Sequence, residues 1–185
     1  MRTLIDLTSF GEYLHYGMPL ALVTVLGKGG RVNVSTNASM TPLPGQTPRL
    51  VIAVLKDNLT NDLIAEQSEF VVNVLTSEMR SVALQCGTRS GSDVDKMALC
   101  GLTPLPARFV KTPLVAQCPL NIECRVEGSQ SFEDVNLWIA RMLAMEVAPE
   151  WSDGRNGINL EKFQPLIYAF GHSFGRGPQV GFGSF

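Results

Sequence analysis

The sequence predicts a mainly β protein: an antiparallel closed or nearly closed barrel with small inserted helices, in one domain spanning residues 1–185. Three observations predict it. Apolar or alternating segments of strand length recur along the chain. Glycine-, proline- and asparagine-bearing turns separate them, the first of which, Gly27-Lys28-Gly29-Gly30, reads as a hairpin. The helical segments between them are too short and too few to act as crossovers of repeated βαβ units, which excludes a parallel sheet.

In chain order, Ser9 to Gly17 reads as a short helix that Gly17 closes, with Pro19 beyond it. Leu20 to Leu26 is a buried strand, and Arg31 to Val34 is its hairpin partner. The stretch Asn33-Val34-Ser35-Thr36-Asn37-Ala38-Ser39-Met40 then turns small and polar before it meets Pro42, Pro44 and Pro48. Proline lacks a ladder donor and fixes its own φ, so the strand is not expected to run through that segment. Leu50 to Leu55 is the next strand, and Lys56 to Thr60 a polar turn. A helix follows from Thr60 to Gln67, capped by Asn58 or Thr60.

Glu69 to Leu75 is a strand, and Ser77 caps a helix that ends at Gly87. Ser90-Gly91-Ser92-Asp93 leads a short helix from Val94 to Cys100. Residues 102–117 form a proline-bearing excursion. Next comes the sharpest alternation in the chain, with Cys118, Leu120, Ile122, Cys124 and Val126 on one face. Asn121, Glu123, Arg125 and Glu127 occupy the other. Asn136 to Val147 is a long strand, residues 148–163 a polar loop with a helical turn, and Pro165 to Phe170 a last strand before a glycine-rich tail.

Bulk properties exclude several function classes. The 185 residues carry a net charge of −2, which argues against nucleic acid and anionic membranes as partners. The start has no apolar signal region and no run approaches the length of a spanning helix, so the expectation is a cytoplasmic protein. A charged fraction of only 17% points to a surface covered by a second copy of the chain. Cys86, Cys100, Cys118 and Cys124 form no C-x-x-C pair and are expected as reduced thiols. Sequons at Asn33, Asn37 and Asn58 are expected to be chance matches, since export is not expected.

The candidate chemistry points to a bound ring rather than to a nucleophile. Gly171-His172-Ser173-Phe174-Gly175 matches G-x-S-x-G, but the context of a nucleophile elbow is missing: Arg176-Gly177-Pro178 starts a helix poorly and no histidine lies downstream. No dinucleotide fingerprint or Walker lysine occurs, and two histidines without clustered acids argue against a metal centre. Small side chains at residues 33–40 let backbone groups approach a flat ligand edge, while hydroxyls and amides read its rim. Thr60 and Lys96 each fall at a helix start, where free N–H groups favour an anion such as a phosphate; the alternative is a simple cap and a solvated charge.

The chain also resembles a known family. Pro19 to Val25, Gly30 to Ala38, Pro48 to Val51, Thr60 near Ile64, Glu69 to Val74, Cys86 to Lys96, Leu120 to Val126 and Pro165 to Tyr168 are similar, in order, to the flavin reductase-like family. Within it the similarity is to the flavoredoxin-type subgroup, and Ser90-Gly91-x-Asp93-Val94-Asp95-Lys96 is its most specific segment. The resemblance implies an FMN-binding split β-barrel of antiparallel Greek-key type, working as a homodimer. It places Asn33 and residues Thr36, Asn37, Ala38 and Ser39, with Ser35 between, at the ring system. Thr60 and Lys96 are placed at the phosphate, with Asn58 and Ser90 close by. Relatives often carry an aromatic where Ser39 stands and a histidine where Val135 stands; His172 or Phe174 is expected to substitute for these groups.

The implied activity is a flavin reductase that takes a hydride from NADH or NADPH and passes electrons to an acceptor. The alternatives are a flavin-bearing electron carrier that never meets nicotinamide, or a split-barrel oxidase of a phosphorylated vitamin. The latter needs a second basic cluster, for which Lys56, Arg89 and Arg176 are the only candidates.

Overall fold

A computed structural model describes residues 15–155, 157–175 and 177. Strand β1 spans Tyr16–Pro19, β2 Ala21–Leu26, β3 Val32–Asn37, β4 Met40–Leu43 and β5 Arg49–Leu55. Helix α1 (Leu59–Gln67) leads into β6 (Glu69–Val74), and α2 (Arg80–Thr88) and α3 (Lys96–Leu99) follow. The remaining strands are β7 (Pro104–Leu105), β8 (Leu114–Val115), β9 (Leu120–Ser131), β10 (Val135–Val147), β11 (Ile167–Ala169) and β12 (His172–Phe174). Seven strands form one antiparallel sheet in the order β3-β2-β6-β9-β10-β5-β4.

The unbroken apolar run of β2 has a simple cause: both of its faces are covered. Ala21, Val23 and Val25 join Ile52, Phe70, Val72, Ile122 and Trp138 in the barrel interior, which Leu63 and Ile64 of α1 plug. Leu20 and Leu22 face the opposite way, into a second cluster with Leu75, Ala83, Cys86, Met97 and Leu166. Phe70 is fully buried at the centre, and its truncation to alanine should cost about 3–5 kcal/mol.

The sheet's two edges meet at residues 37–40. Asn37 ends β3 and Met40 begins β4, at the opposite edge of the sheet order. Across this seam the Asn37 amide Nδ2 donates to the Ala53 carbonyl at 2.8 Å, and the Ala53 N–H donates to the Ser39 carbonyl at 2.8 Å. The barrel is thus closed partly by a side-chain amide instead of a backbone ladder, which is where it is split.

Several elements differ from the sequence reading, each for a local reason. Strand β3 runs three residues further, to Asn37, because its polar side chains find partners on α1 and β5. Pro42 is tolerated inside β4 because that strand lies at the sheet edge, where its missing donor faces no neighbour. Helix α3 begins at Lys96 and not at Val94, since Asp95 caps it by accepting from the Ala98 N–H at 3.1 Å. The tail folds back as β12 through a two-residue hairpin at Phe170-Gly171, both with positive φ (50° and 78°). Tyr16 and Gly17 belong to β1 and His15 before them has no regular structure, while residues 9–14 of the expected helix lie outside the described residues.

The polar face of β9 is partly covered. Asn121 and Glu123 are buried, because the 102–117 excursion lies over them. The Glu123 carboxylate accepts from the N–H groups of Arg108, Phe109 and Val110 at 3.0, 2.6 and 3.1 Å. Glu69 Oε1 on neighbouring β6 accepts from Lys111 and Thr112 at 2.6 and 3.0 Å. The excursion has only the short β7–β8 pair as regular structure, so these carboxylates satisfy the donors that a ladder would otherwise take. No helix among the described residues is long and apolar enough to cross a membrane.

Candidate functional site

A cavity of about 430 Å³ opens beside the barrel seam. One wall is Ser35, Thr36, Asn37, Ala38 and Ser39, and a second is Ala53, Val54, Leu55 and Asn58. A third is one face of α2: Arg80, Ala83, Leu84, Gly87 and Thr88 recur at the spacing of a helix stripe. Tyr168 of β11 and Ser173 of β12, register partners and therefore on one face of their hairpin, complete it with His15.

Helix α2 can lie this close to β3 because of Gly87. A Cβ there would come within 3.3 Å of the Thr36 side chain, and Thr36 Oγ1 donates to the Ala83 carbonyl at 2.7 Å. The α2 stripe places polar groups, Arg80 and Thr88, at both helix ends about 12 Å apart, with small and apolar residues between them.

Of the sequence-predicted residues, Ser35, Thr36, Asn37, Ala38, Ser39 and Asn58 line the cavity. Asn33 and Thr60 lie behind it, buried: Asn33 Nδ2 donates to Thr60 Oγ1 at 2.9 Å, and Thr60 Oγ1 donates to Ser35 Oγ at 2.8 Å. They hold Ser35 and the start of α1 in place, and Asn58 caps that helix by accepting from the Thr60 N–H at 2.9 Å. Gly91 packs on Asn33 so closely that a Cβ would collide with Asn33 Oδ1.

Lys96 and Ser90 are not brought to the cavity. Lys96 is 4% exposed, and its ammonium donates to the Cys86 and Arg89 carbonyls at 3.0 and 3.1 Å. It therefore terminates α2, a place where a cation suits the orphan carbonyls and the negative dipole end. Burial pulls its pKa below the usual lysine value, a pull that the nearby Cys86 and Cys100 thiols counter. Ser90 Oγ accepts from the Ser92 N–H at 3.2 Å, a local turn. His172 and Phe174 are exposed and stack edge-on with each other; the intervening Ser173 lines the cavity. The strand alternates, so one residue's offset decides which side chain arrives.

Sequence reasoning missed Arg80, Gly87, Thr88, Tyr168 and His15. The 80/83/84/87/88 spacing was the available signal for α2. His15 shares a hydrogen bond with Ser39 Oγ at 3.1 Å and packs edge-on against Tyr168 at 5.3 Å between ring centres. Its Nδ1, like Asn37 Oδ1, is buried with no hydrogen-bond partner among the described residues.

A cofactor can be tested against this geometry. A tricyclic, partly apolar ring with a polar rim fits the volume, the small-residue walls and the unpartnered Asn37 acceptor. Arg80 is the cation present for an anionic tail. Among the described residues no group of three or more His, Cys, Asp or Glu is placed to hold a metal ion.

The comparisons with known proteins agree with this fold. The model of the flavin reductase like domain matches residues 13–176, so the chain belongs to the flavin reductase-like family. An uncharacterized protein of Archaeoglobus fulgidus is 32% identical over 162 residues, covering 87% of this chain and 90% of that one. Among solved structures, the flavoredoxin of Desulfovibrio vulgaris (Miyazaki F) superposes with a TM-score of 0.87 at 23% identity, covering 98% of this chain and 97% of that chain. The flavoredoxin from Methanosarcina acetivorans gives 0.87 at 24% identity, covering 98% and 95%. The architecture is the split β-barrel of this family, whose members are flavin-handling oxidoreductases.

Proposed function

We propose that this chain binds FMN in the cavity beside the barrel seam and transfers electrons from NADH or NADPH to an acceptor through it. The observation that carries the proposal is the cavity of about 430 Å³ walled by the small polar residues Ser35 to Ser39, beside which the buried Asn37 Oδ1 has no hydrogen-bond partner among the described residues. The imide N–H of a flavin ring is a donor of the kind that such an acceptor needs.

Bound there, FMN supplies two-electron acceptance from a nicotinamide. The protein's part is placement and electrostatics. Ala38 and Ser39 belong to neither strand's ladder, so their amides are free to favour negative charge at the ring's polar edge. Ala83, Leu84 and Gly87 exclude water from one face, and Arg80 with Thr88 and Asn58 provides for the phosphate. Hydride transfer requires no protein acid or base, consistent with the modest inventory of titratable groups around the cavity.

A second open, mostly apolar groove shares His15, Ser39 and Ala53 with the cavity and adds Met18, Met40, Val51 and Leu137. We assign it to a second copy of the chain, which would shield the seam. Light scattering should then give twice the 20.1 kDa chain mass.

The decisive test is an absorbance spectrum of the purified protein, followed by anaerobic NADH and NADPH. Flavin absorbance that bleaches with either donor supports the proposal. Bound flavin that bleaches only with a protein or chemical reductant moves the chain to the electron-carrier reading, which the flavoredoxin likeness favours. No flavin bound at all overturns both.

A further inference from the structure

Cys86 and Cys100 stand with their sulfurs 3.7 Å apart, and neither is required by the flavin site. Cys86 lies in the last turn of α2, immediately before Gly87 of the cavity wall; Cys100 directly follows α3. Lys96 holds both backbones in place, since its ammonium bonds the Cys86 carbonyl and its own carbonyl accepts from the Cys100 N–H at 3.1 Å. Cys86 is 1% exposed, whereas Cys100 is partly open to solvent.

We propose that Cys86 and Cys100 form a peroxide-reactive dithiol site whose disulfide ties the α2 wall of the cavity to the segment carrying α3. The reactant class is a hydroperoxide, of which hydrogen peroxide is the simplest. The partly exposed Cys100 thiolate, its proton given to solvent, attacks one peroxide oxygen; the O–O bond breaks, and Cys100 sulfenic acid and water result. Cys86 sulfur then attacks the Cys100 sulfur, forming the S–S bond and breaking the S–O bond, and the departing oxygen leaves as a second water with the Cys86 proton. Two thiols and one hydrogen peroxide thus give one disulfide and two waters, with two electrons passing from sulfur to peroxide.

The order of attack follows from the surroundings. Burial and the neighbouring Cys100 push the Cys86 thiol up to about 12, against which the Lys96 charge pulls. Cys86 is therefore the slower outside nucleophile and acts in the intramolecular step. Cys118 and Cys124 are also pushed up to about 12 by burial and are 1% and 0% exposed, so they serve as internal controls.

The test is brief exposure of the folded protein to hydrogen peroxide, with thiol titration and peptide mass mapping without reduction. The expected result is a fall from four thiols to two per chain, a single Cys86–Cys100 cross-link, and full reversal by dithiothreitol. The closed loop should raise Tm by roughly 5–10 °C and slow amide exchange across residues 83–100. Cys86→Ser should leave Cys100 trapped as a sulfenic acid that a dione probe labels, and Cys100→Ser should leave the remaining thiols unreacted. A cross-link that appears only after denaturation, oxidation of Cys100 without bond formation, or loss of Cys118 at the same rate would overturn the proposal. These readouts do not depend on flavin binding, so they stand or fall apart from the reading of the cavity.

Discussion

Two groups of buried polar side chains flank strand β2, one beneath the 102–117 excursion and one along β3, and they end in opposite states. Under the excursion every group is matched. Asn73 Oδ1 accepts from the Val115 N–H and from Asn121 Nδ2 at 2.9 and 2.8 Å, and Asn73 Nδ2 donates to the Leu22 carbonyl at 3.1 Å. Glu69 and Glu123 take five backbone N–H groups between them. Along β3, Asn33 and Asn37 each use their amide nitrogen, yet neither side-chain oxygen has a partner among the described residues. A satisfied buried polar cluster is architecture, whereas the spare acceptors along β3 accompany the cavity proposed for the ligand.

The sharpest way to break this contrast is Glu123→Ala. Three backbone donors would lose a buried carboxylate, so stability should fall by about 3–5 kcal/mol in urea unfolding. A loss below about 1 kcal/mol would mean that the excursion holds itself. On the β3 side the largest effect should fall on binding. Arg80 is exposed, and Arg80→Ala should weaken FMN about 10- to 100-fold by fluorescence titration while leaving urea unfolding almost unchanged.

Lys96 sharpens the comparison, since the sequence places it with the ligand and the structure places it with the architecture. Lys96→Ala should cost about 1–3 kcal/mol of stability by exposing two buried carbonyls to loss of their donor. Weakened FMN binding with unaltered stability would instead return Lys96 to the phosphate. A smaller gain is expected at the hairpin that delivers Ser173: Phe170 holds φ at 50°, and Phe170→Asn should raise stability by about 1 kcal/mol.

The least effect belongs to the surface. The hydrogen bond from Arg49, and then Arg141, holds the Glu127 carboxyl below its ordinary 4.5. A folded value below the unfolded one gives a contribution that is complete above 4.5 and lost as pH falls through the folded value. Glu127→Gln should therefore lower stability slightly at neutral pH and leave it unchanged at low pH, where Glu127 is already protonated, which flattens the acid limb of the stability curve.

Much of the barrel is readable in the order of residues, because period-two and continuous apolar runs follow directly from which faces a strand buries. β2, β5, β6 and β10 lie within a residue or two of their expected bounds. The wall from Ser35 to Ser39 is readable too, since small polar side chains between a strand and a proline run have little else to do.

Lys96 looked like an anion ligand because a helix start signals only that N–H groups are free, and Ser90 was placed beside it by the family resemblance alone. A helix start does not say what those groups face. Ser173 went unread for the converse reason: the wall it faces, Ser35 to Ser39, lies more than 130 positions away along the chain.

The order of residues by itself determined the antiparallel barrel, the hairpin into β3 and the polar character of the seam, each a consequence of local pattern and backbone chemistry. Only the folded chain decided which polar groups were consumed and which were left over. Hydrogen-bond satisfaction depends on distance in space: Glu123 meets its partners because a loop crosses it, whereas at the seam nothing among the described residues reaches the buried Asn37 Oδ1.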